Sequence, residues 1–430
     1  VSERRDGRRA LRALRSWRVR AALVALVLVI AGAAIGVAVY EHNRTGSIYH
    51  PHARFVLQPT PKLPAKGPDR FSWPLYGYSP AHTRFFPAPA SVRPPFKRIW
   101  QHNEHALLEF PPVIYGDHIF QLADNGVLSA INKHTGHTFW TRKLGLLSAS
   151  TPAVNASTVY ATVLESGNPG EPGRVWAINY RTGQTRWQRY LSSPSESSPM
   201  LAGGHVYFGS QSGIVYALSA RSGTVLWTYH AAGAVKASPT LSDGRLYFGD
   251  YSGHVQAISA SNGALQWRSS SEGALFGSGT FYSTAAVIYG RVFLGNTDGR
   301  VYAYDAYTGR LDWAVQTGNY VYSSPAVTDA PGLGPTVYVG SYSGTFYALN
   351  ARSGHVDWTF AGGGRISGSP TIVGRIVYFA DLGAKRSYGL GISTGRMLWE
   401  AYRGTFDPII SDSEHVYFTG STGLDGLAPR

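Results

Sequence analysis

Ser238-Pro239-Thr240-Leu241-Ser242-Asp243-Gly244-Arg245-Leu246-Tyr247-Phe248-Gly249-Asp250-Tyr251-Ser252-Gly253-His254-Val255-Gln256-Ala257-Ile258-Ser259-Ala260-Ser261-Asn262-Gly263-Ala264-Leu265-Gln266-Trp267 decides the architecture. Ser238 to Leu241 is a short apolar run closed by Asp243-Gly244. Arg245 to Gly249 alternates and is rich in aromatic and aliphatic residues, and Ser252-Gly253 turns the chain again. His254 to Ile258 is a third alternating run, Asn262-Gly263 a third turn, and Ala264 to Trp267 a fourth run. Asx-Gly and Ser-Gly between alternating runs mark hairpins, because glycine reaches positive φ at little cost. No run carries a 3.6-residue period long enough for a helix. The unit predicts a four-stranded antiparallel sheet.

The same unit recurs. Gly136 precedes Trp140 by four positions, and the pairs Gly183/Trp187, Gly223/Trp227, Gly263/Trp267, Gly309/Trp313, Gly354/Trp358 and Gly395/Trp399 repeat that spacing. A period of 40–47 residues built from strands means a β-propeller, with one sheet per blade. A large flat side chain on each outermost strand is expected to wedge against the neighbouring blade, where 150–250 Å² of burial contributes roughly 4–6 kcal/mol as an upper bound. An eighth unit starts at Ile409 but ends after three runs, at Leu424-Asp425-Gly426-Leu427. Its missing strand and its Trp are supplied by Phe96-Lys97-Arg98-Ile99-Trp100. Joining the two ends of the chain in one sheet removes any open edge. The fold class is all-β, an eight-bladed propeller closed like a strip of velcro.

Composition agrees. Charged residues are 15% of the 430, aromatics 13%, and there are 50 glycines, against about 25% charged in a typical chain. The absence of cysteine excludes disulfides, Cys-ligated zinc, iron–sulfur clusters and thiol catalysis. The net charge of +14 is concentrated at the start, where residues 1–20 hold eight Arg against Glu3 and Asp6. Such an arm is compatible with nucleic acid, but it leads directly into residues 21–39, which carry no charge or polar side chain. A helix of that length spans about 28 Å, close to the hydrocarbon thickness of a bilayer, and Trp17 and Tyr40 bracket it at interface positions. We therefore expect a cytoplasmic arm (1–20), a single transmembrane helix (21–40), an extracytoplasmic remainder and no nucleic-acid partner. A cleaved signal peptide with Ala31-Gly32-Ala33 as its site, giving a secreted protein, is the alternative; the long apolar run favours the anchor. Gly32 and Gly36 form a GxxxG that would support a homodimer. Residues 41–72 lie in a stretch dense in proline, such as Gln58-Pro59-Thr60-Pro61-Lys62-Leu63-Pro64, and are expected to be a semi-rigid extended tether.

Ala303-Tyr304-Asp305-Ala306-Tyr307-Thr308-Gly309-Arg310-Leu311-Asp312-Trp313 resembles the repeat of the pyrroloquinoline-quinone (PQQ) propeller family. The other copies replace Asp305 by Asn132, Asn179, Ser219, Ser259, Asn350 or Ile392. Trp73-Pro74-Leu75-Tyr76-Gly77 and Ala81-His82-Thr83-Arg84 resemble that family's opening segment, so the propeller is assigned to residues 73–430. The resemblance implies two functions: quinoprotein dehydrogenases holding PQQ and Ca²⁺ on the ring axis, and BamB-type scaffold propellers that bind proteins without a cofactor. Fold alone does not choose between them.

The chemistry that the dehydrogenases would need is largely missing. The resemblance implies adjacent cysteines capping the quinone, and there are none. It implies a spare stacking Trp, yet every Trp from residue 100 onward belongs to the repeat except Trp176. PQQ and calcium are therefore not expected, and no catalytic, cofactor or metal residue is assigned. His102-Asn103-Glu104-His105 with Glu109 is a weak metal motif on an expected loop, and His50-Pro51-His52 falls in the tether. No nucleophile elbow, Walker loop or zincin helix appears.

Topology directs attention to one face. If strands run from the axis outward, the Thr-Gly turns share one rim. The blade-to-blade links and the insertions at 165–173 and 269–280 share the other. Near that second rim the innermost strands begin, with Lys236, Tyr282, Tyr320, Tyr322, Arg365 and Asp407 as candidate partner-binding residues, and Glu109, Glu196 and Phe281 beside them. Loops on a rigid scaffold commonly carry function, and Tyr and Arg are favoured at interfaces. The alternative is that they line a wet channel. The reading as a whole is a membrane-tethered binding scaffold for an envelope protein; a quinone-dependent oxidoreductase and a ligand-sensing ectodomain are the alternatives.

Overall fold

A computed structural model describes residues 17, 20–38, 48–50, 54–59, 61, 71–272, 279–404, 406 and 408–430. One unit holds an apolar helix, Arg20–Ala38, long enough to cross a membrane. Gly32 and Gly36 lie open on it, with nothing near the place where a Cβ would stand.

The other unit is an eight-bladed propeller. Blades 1–7 each run from an innermost to an outermost strand in chain order, and their innermost strands are Val113–Tyr115, Ala153–Val154, Met200–Ala202, Thr240–Ser242, Ala286–Ile288, Ala326–Ala330 and Thr371–Val373. Blade 8 is Ile409–Ser411, Val416–Gly420, Gly423–Pro429 and, from the other end of the chain, Phe96–Asn103. The closing strand runs three residues beyond Trp100, so His102 and Asn103 belong to it and not to a loop as the sequence suggested.

The Gly-to-Trp spacing has a contact behind it. Trp100, Trp140, Trp187, Trp227, Trp267, Trp313 and Trp358 each reach into the following blade, where the indole N–H donates to a backbone carbonyl at 2.9–3.2 Å. Each ring lies on the turn glycine of that blade. A Cβ on Gly136, Gly183, Gly223, Gly263, Gly309, Gly354 or Gly395 would come within 2.5–2.9 Å of ring atoms. These glycines also have φ of +65° to +74°, so the turn and the packing both require them. Trp399 packs instead against Phe418 and Phe96 at the seam.

Among the described residues, blade 5 alone has its outer edge covered. Its outermost strand, Leu311–Gln316, is covered by a fifth strand, Ile48–Tyr49, paired Ile48↔Ala314 and Tyr49↔Trp313. His50 N–H donates to Asp312 O, and Val56 N–H to Tyr289 O. The Phe55 ring stacks on Tyr289 at 5.3 Å, with the Arg291 and Arg352 guanidiniums 5.3 and 4.9 Å from its centre. Beneath lies a buried ion pair, Arg291–Asp312, each side chain 1% exposed. Part of the stretch read as a spacer is thus seated on the propeller as a strap.

Candidate functional site: a plugged axis with a tyrosine rim

Residues 72–86 run across one end of the ring. Ser72 pairs with Tyr115 of blade 1, and the N–H of Val154 in blade 2 donates to Pro74 O. Leu241, Val287, Val327 and Ile372, in blades 4 to 7, donate in the same way to Pro80, Ala81, Thr83 and Arg84. Phe85–Phe86 then lies parallel to the innermost strand of blade 7. Six blades thus hold one segment, which closes the axis as a plug. Its polar side chains bond inside the ring, except that His82 Nε2 has no hydrogen-bond partner among the described residues. Arg84 donates to the carbonyls of Pro370 and Ser369 and lies 4.4 Å from the Tyr76 ring centre. His82, 1% exposed, shares a hydrogen bond with Thr240 Oγ1 at 2.9 Å. Burial and the nearby Arg84 charge push its pKa down to about 3.

Three residues before each plug-bonded N–H in blades 4–7 stand Ser238, Thr284, Ser324 and Ser369, and these line a small axial pit. They also tie blade to blade. The N–H of Ser238 donates to Thr284 Oγ1, that of Thr284 to Ser324 Oγ, and that of Ser324 to Ser369 Oγ. Thr151 and Ser198 make the same link between blades 2 and 3. Tyr76 of the plug reaches into the belt, its hydroxyl 3.0 Å from Ser369 Oγ and 3.3 Å from Ser324 Oγ. The pit encloses about 60 Å³, and since the plug meets the later residues of each strand, it opens at the rim where those strands begin.

That rim gathers most of the residues the sequence singled out. Lys236 Nζ lies 2.7 Å from Glu196 Oε1 and 4.8 Å from the Tyr251 ring centre. Glu196 also accepts from Gln211 at 2.9 Å and from the Tyr282 hydroxyl at 3.4 Å. Tyr282 meets Tyr251 at 6.3 Å and Tyr322 at 5.6 Å. Tyr322 in turn meets Tyr320 at 6.0 Å and Tyr342 at 4.9 Å. Five rings from blades 4, 5 and 6 thus form one arc. Burial and the Glu196 charge raise the phenol pKa values of Tyr251 and Tyr282, so both stay neutral donors. Glu109 also lines the pit.

Other candidates are dispersed. Arg365 is exposed on the same rim, and its carbonyl accepts from Gly383 N–H. Phe281 is fully buried, against Tyr302, and is core. Asp407 lies outside the described residues, as does half of the insertion at 269–280, residues 273–278. The other insertion closes on itself through the Asn168↔Glu171 bridge, and its first residue meets the blade 1–2 link through Leu147↔Glu165. His102 pairs with Glu104 at 3.2 Å, and Ser129 donates to the same carboxylate. His105 is exposed, and no group of three metal-ligating side chains converges among the described residues. Sequence reasoning missed Tyr251, Tyr342, the hydroxyl belt and Asp124, whose carboxyl burial raises to about 6 although it accepts from the Glu109 N–H. The belt had a signal: Ser or Thr recurs at one repeat position, usually before proline. The two tyrosines lie on turns between the second and third strands, where the repeat pattern is silent.

The family model described as outer membrane protein assembly factor BamB matches residues 97–202, 173–319 and 321–422. No curated protein matches the sequence. Among solved structures, BamB from Moraxella catarrhalis aligns with a TM-score of 0.63 at 17% identity, covering 77% of this chain and 99% of that one. The quinohemoprotein alcohol dehydrogenase ADHIIG from Pseudomonas putida HK5 aligns at 0.69 and 14%, covering 83% and 80%. The computationally designed Ika8 protein aligns at 0.64 and 16%, covering 78% and 100%. At these identities the likeness is one of fold, and an assembly factor, an alcohol dehydrogenase and a designed protein share it. The sequence match is more specific: it takes in most of the chain, from blade 8's closing strand through the repeats, and this protein belongs to the BamB family of PQQ-like repeat propellers.

Proposed function

We propose that this chain is a membrane-anchored, extracytoplasmic scaffold that binds an envelope protein at the open rim and works without a quinone. The observation that carries the reading is the axis itself. A pit of about 60 Å³ compares with 300–1,000 Å³ for sites that bury a cofactor-sized molecule. The Tyr76 hydroxyl, bonded to two blades, stands in that pit. Its charged lining is Glu109 and Glu196 against Lys236, a poor match for a tricarboxylate. These residues do not fit PQQ. Family membership supports a binding role, and the apolar helix, with eight arginines among residues 1–20, supports anchoring with the arm in the cytoplasm.

The test is capture from native membranes of the full chain carrying a photo-crosslinking residue at Arg365 or Tyr320. One dominant envelope protein should be trapped from the open rim and not from a control at Arg221, on the Thr-Gly rim. Equal labelling from both rims overturns the assignment of the rim, and no trapped protein at either overturns the scaffold reading.

A further inference from the structure

We propose that the tyrosine arc at the mouth of the axis is a binding site for a neutral saccharide chain. Three features point to that ligand class. First, the arc supplies aromatic surface without enclosing it. Tyr282 stands at 86° to Tyr322, and Tyr320 at 78° to Tyr322, so successive rings turn different faces. Tyr320 is 49% exposed. The negative face of an aromatic ring attracts electropositive C–H groups, and a pyranose ring presents such a C–H surface. Second, the remaining polar groups at the mouth are hydroxyls, a compensated ion pair and the Glu109 carboxylate. Ser238, Thr284, Ser324 and Ser367 line the pit, and Lys236 is held by Glu196 at 2.7 Å. A ligand with many hydroxyls can exchange hydrogen bonds with such a wall directly or through water, whereas neither an anion nor a cation finds an uncompensated opposite charge in that pair. Third, the pit is shallow. It holds a hydroxymethyl group or one to two waters, so the ligand lies across the arc and sends one substituent inward.

This inference is independent of the protein-scaffold reading. The full chain, in a detergent without a sugar headgroup, is titrated calorimetrically with chitohexaose, cellohexaose and maltohexaose. At least one should bind with a dissociation constant below about 1 mM, and raising the salt from about 0.05 to 0.5 M should leave it unchanged. Tyr322→Ala should weaken binding about tenfold or more, whereas Tyr322→Phe, which keeps the ring face, stays within about threefold. If Tyr322→Ala fails to fold, Tyr320→Ala, at a half-exposed position, should still weaken binding by severalfold. No binding of any of the three sugars at about 5 mM overturns the proposal. So does binding indifferent to both tyrosines, or binding removed by salt. Loss of sugar binding with partner capture through Arg365 intact would separate this site from the scaffold surface.

Discussion

Gly309 does two things at once, and substitution can separate them. It sits at φ +74°, and an added Cβ would approach the Trp267 ring to 2.5 Å. Gly244 has nearly the same backbone, φ +72°, but open space around its missing side chain. Gly244→Ala should therefore cost only the left-handed backbone term, about 1–2 kcal/mol. Gly309→Ala should cost a further 1–3 kcal/mol or so from forced displacement of the indole. Urea unfolding of the two variants measures the difference; equal costs would mean that the ring does not depend on that glycine. His82 gives a second prediction at this scale. Its folded pKa of about 3 lies below the ordinary 6.5, so the unfolded chain takes up a proton that the fold refuses. Its contribution is fully present above pH 6.5 and is lost as pH falls towards 3, by roughly 4–5 kcal/mol at most. His82→Gln should flatten that slope between pH 6.5 and 4. An unchanged slope would mean that the plug histidine already exchanges with solvent.

Elements explain what was readable in the sequence and what was not. The blades were legible because hairpin glycines and alternation act within a few residues of each other. The closing strand was legible because a Trp was missing at one end and spare at the other. Trp100→Ala should accordingly cost about 3–5 kcal/mol through the cavity left at the seam. Trp227→Ala, in an uninterrupted blade, should cost the same to within about 1 kcal/mol. The plug was only partly legible: its opening residues looked familiar, but its hydrogen bonds go to six strands scattered over more than 250 residues, with no local pattern to reveal them. The strap was hidden for a different reason. Proline-rich composition indicates extended chain, and an extended chain is equally suited to lie free or to pair with a blade edge. Arg291, Asp312 and Tyr289, which receive it, look like ordinary repeat positions. Phe55→Ala removes the ring held by Tyr289, Arg291 and Arg352. It should make the segment around residue 55 cleavable by protease and speed amide exchange at His50 and Val56. Unchanged protection would mean that the two paired residues hold the strap without it.

At the scale of the molecule, the same plug that stabilises the ring also limits what the ring can do. By joining six blades it fixes their relative placement, and by filling the axis from one end it leaves a shallow pit where a deep site would otherwise lie. The candidate rim was legible as a set because chain direction within a blade determines which turns share a rim. Which of its residues converge was not, since Arg365 and the arc differ only in side-chain placement. The measurement that tests the account most directly is an equilibrium titration of the full chain with PQQ and Ca²⁺, followed by dye-linked alcohol and sugar oxidation. The account predicts no stoichiometric uptake and no dye reduction. Uptake at micromolar concentration or tighter, abolished by Lys236→Ala with Arg365→Ala, would contradict it.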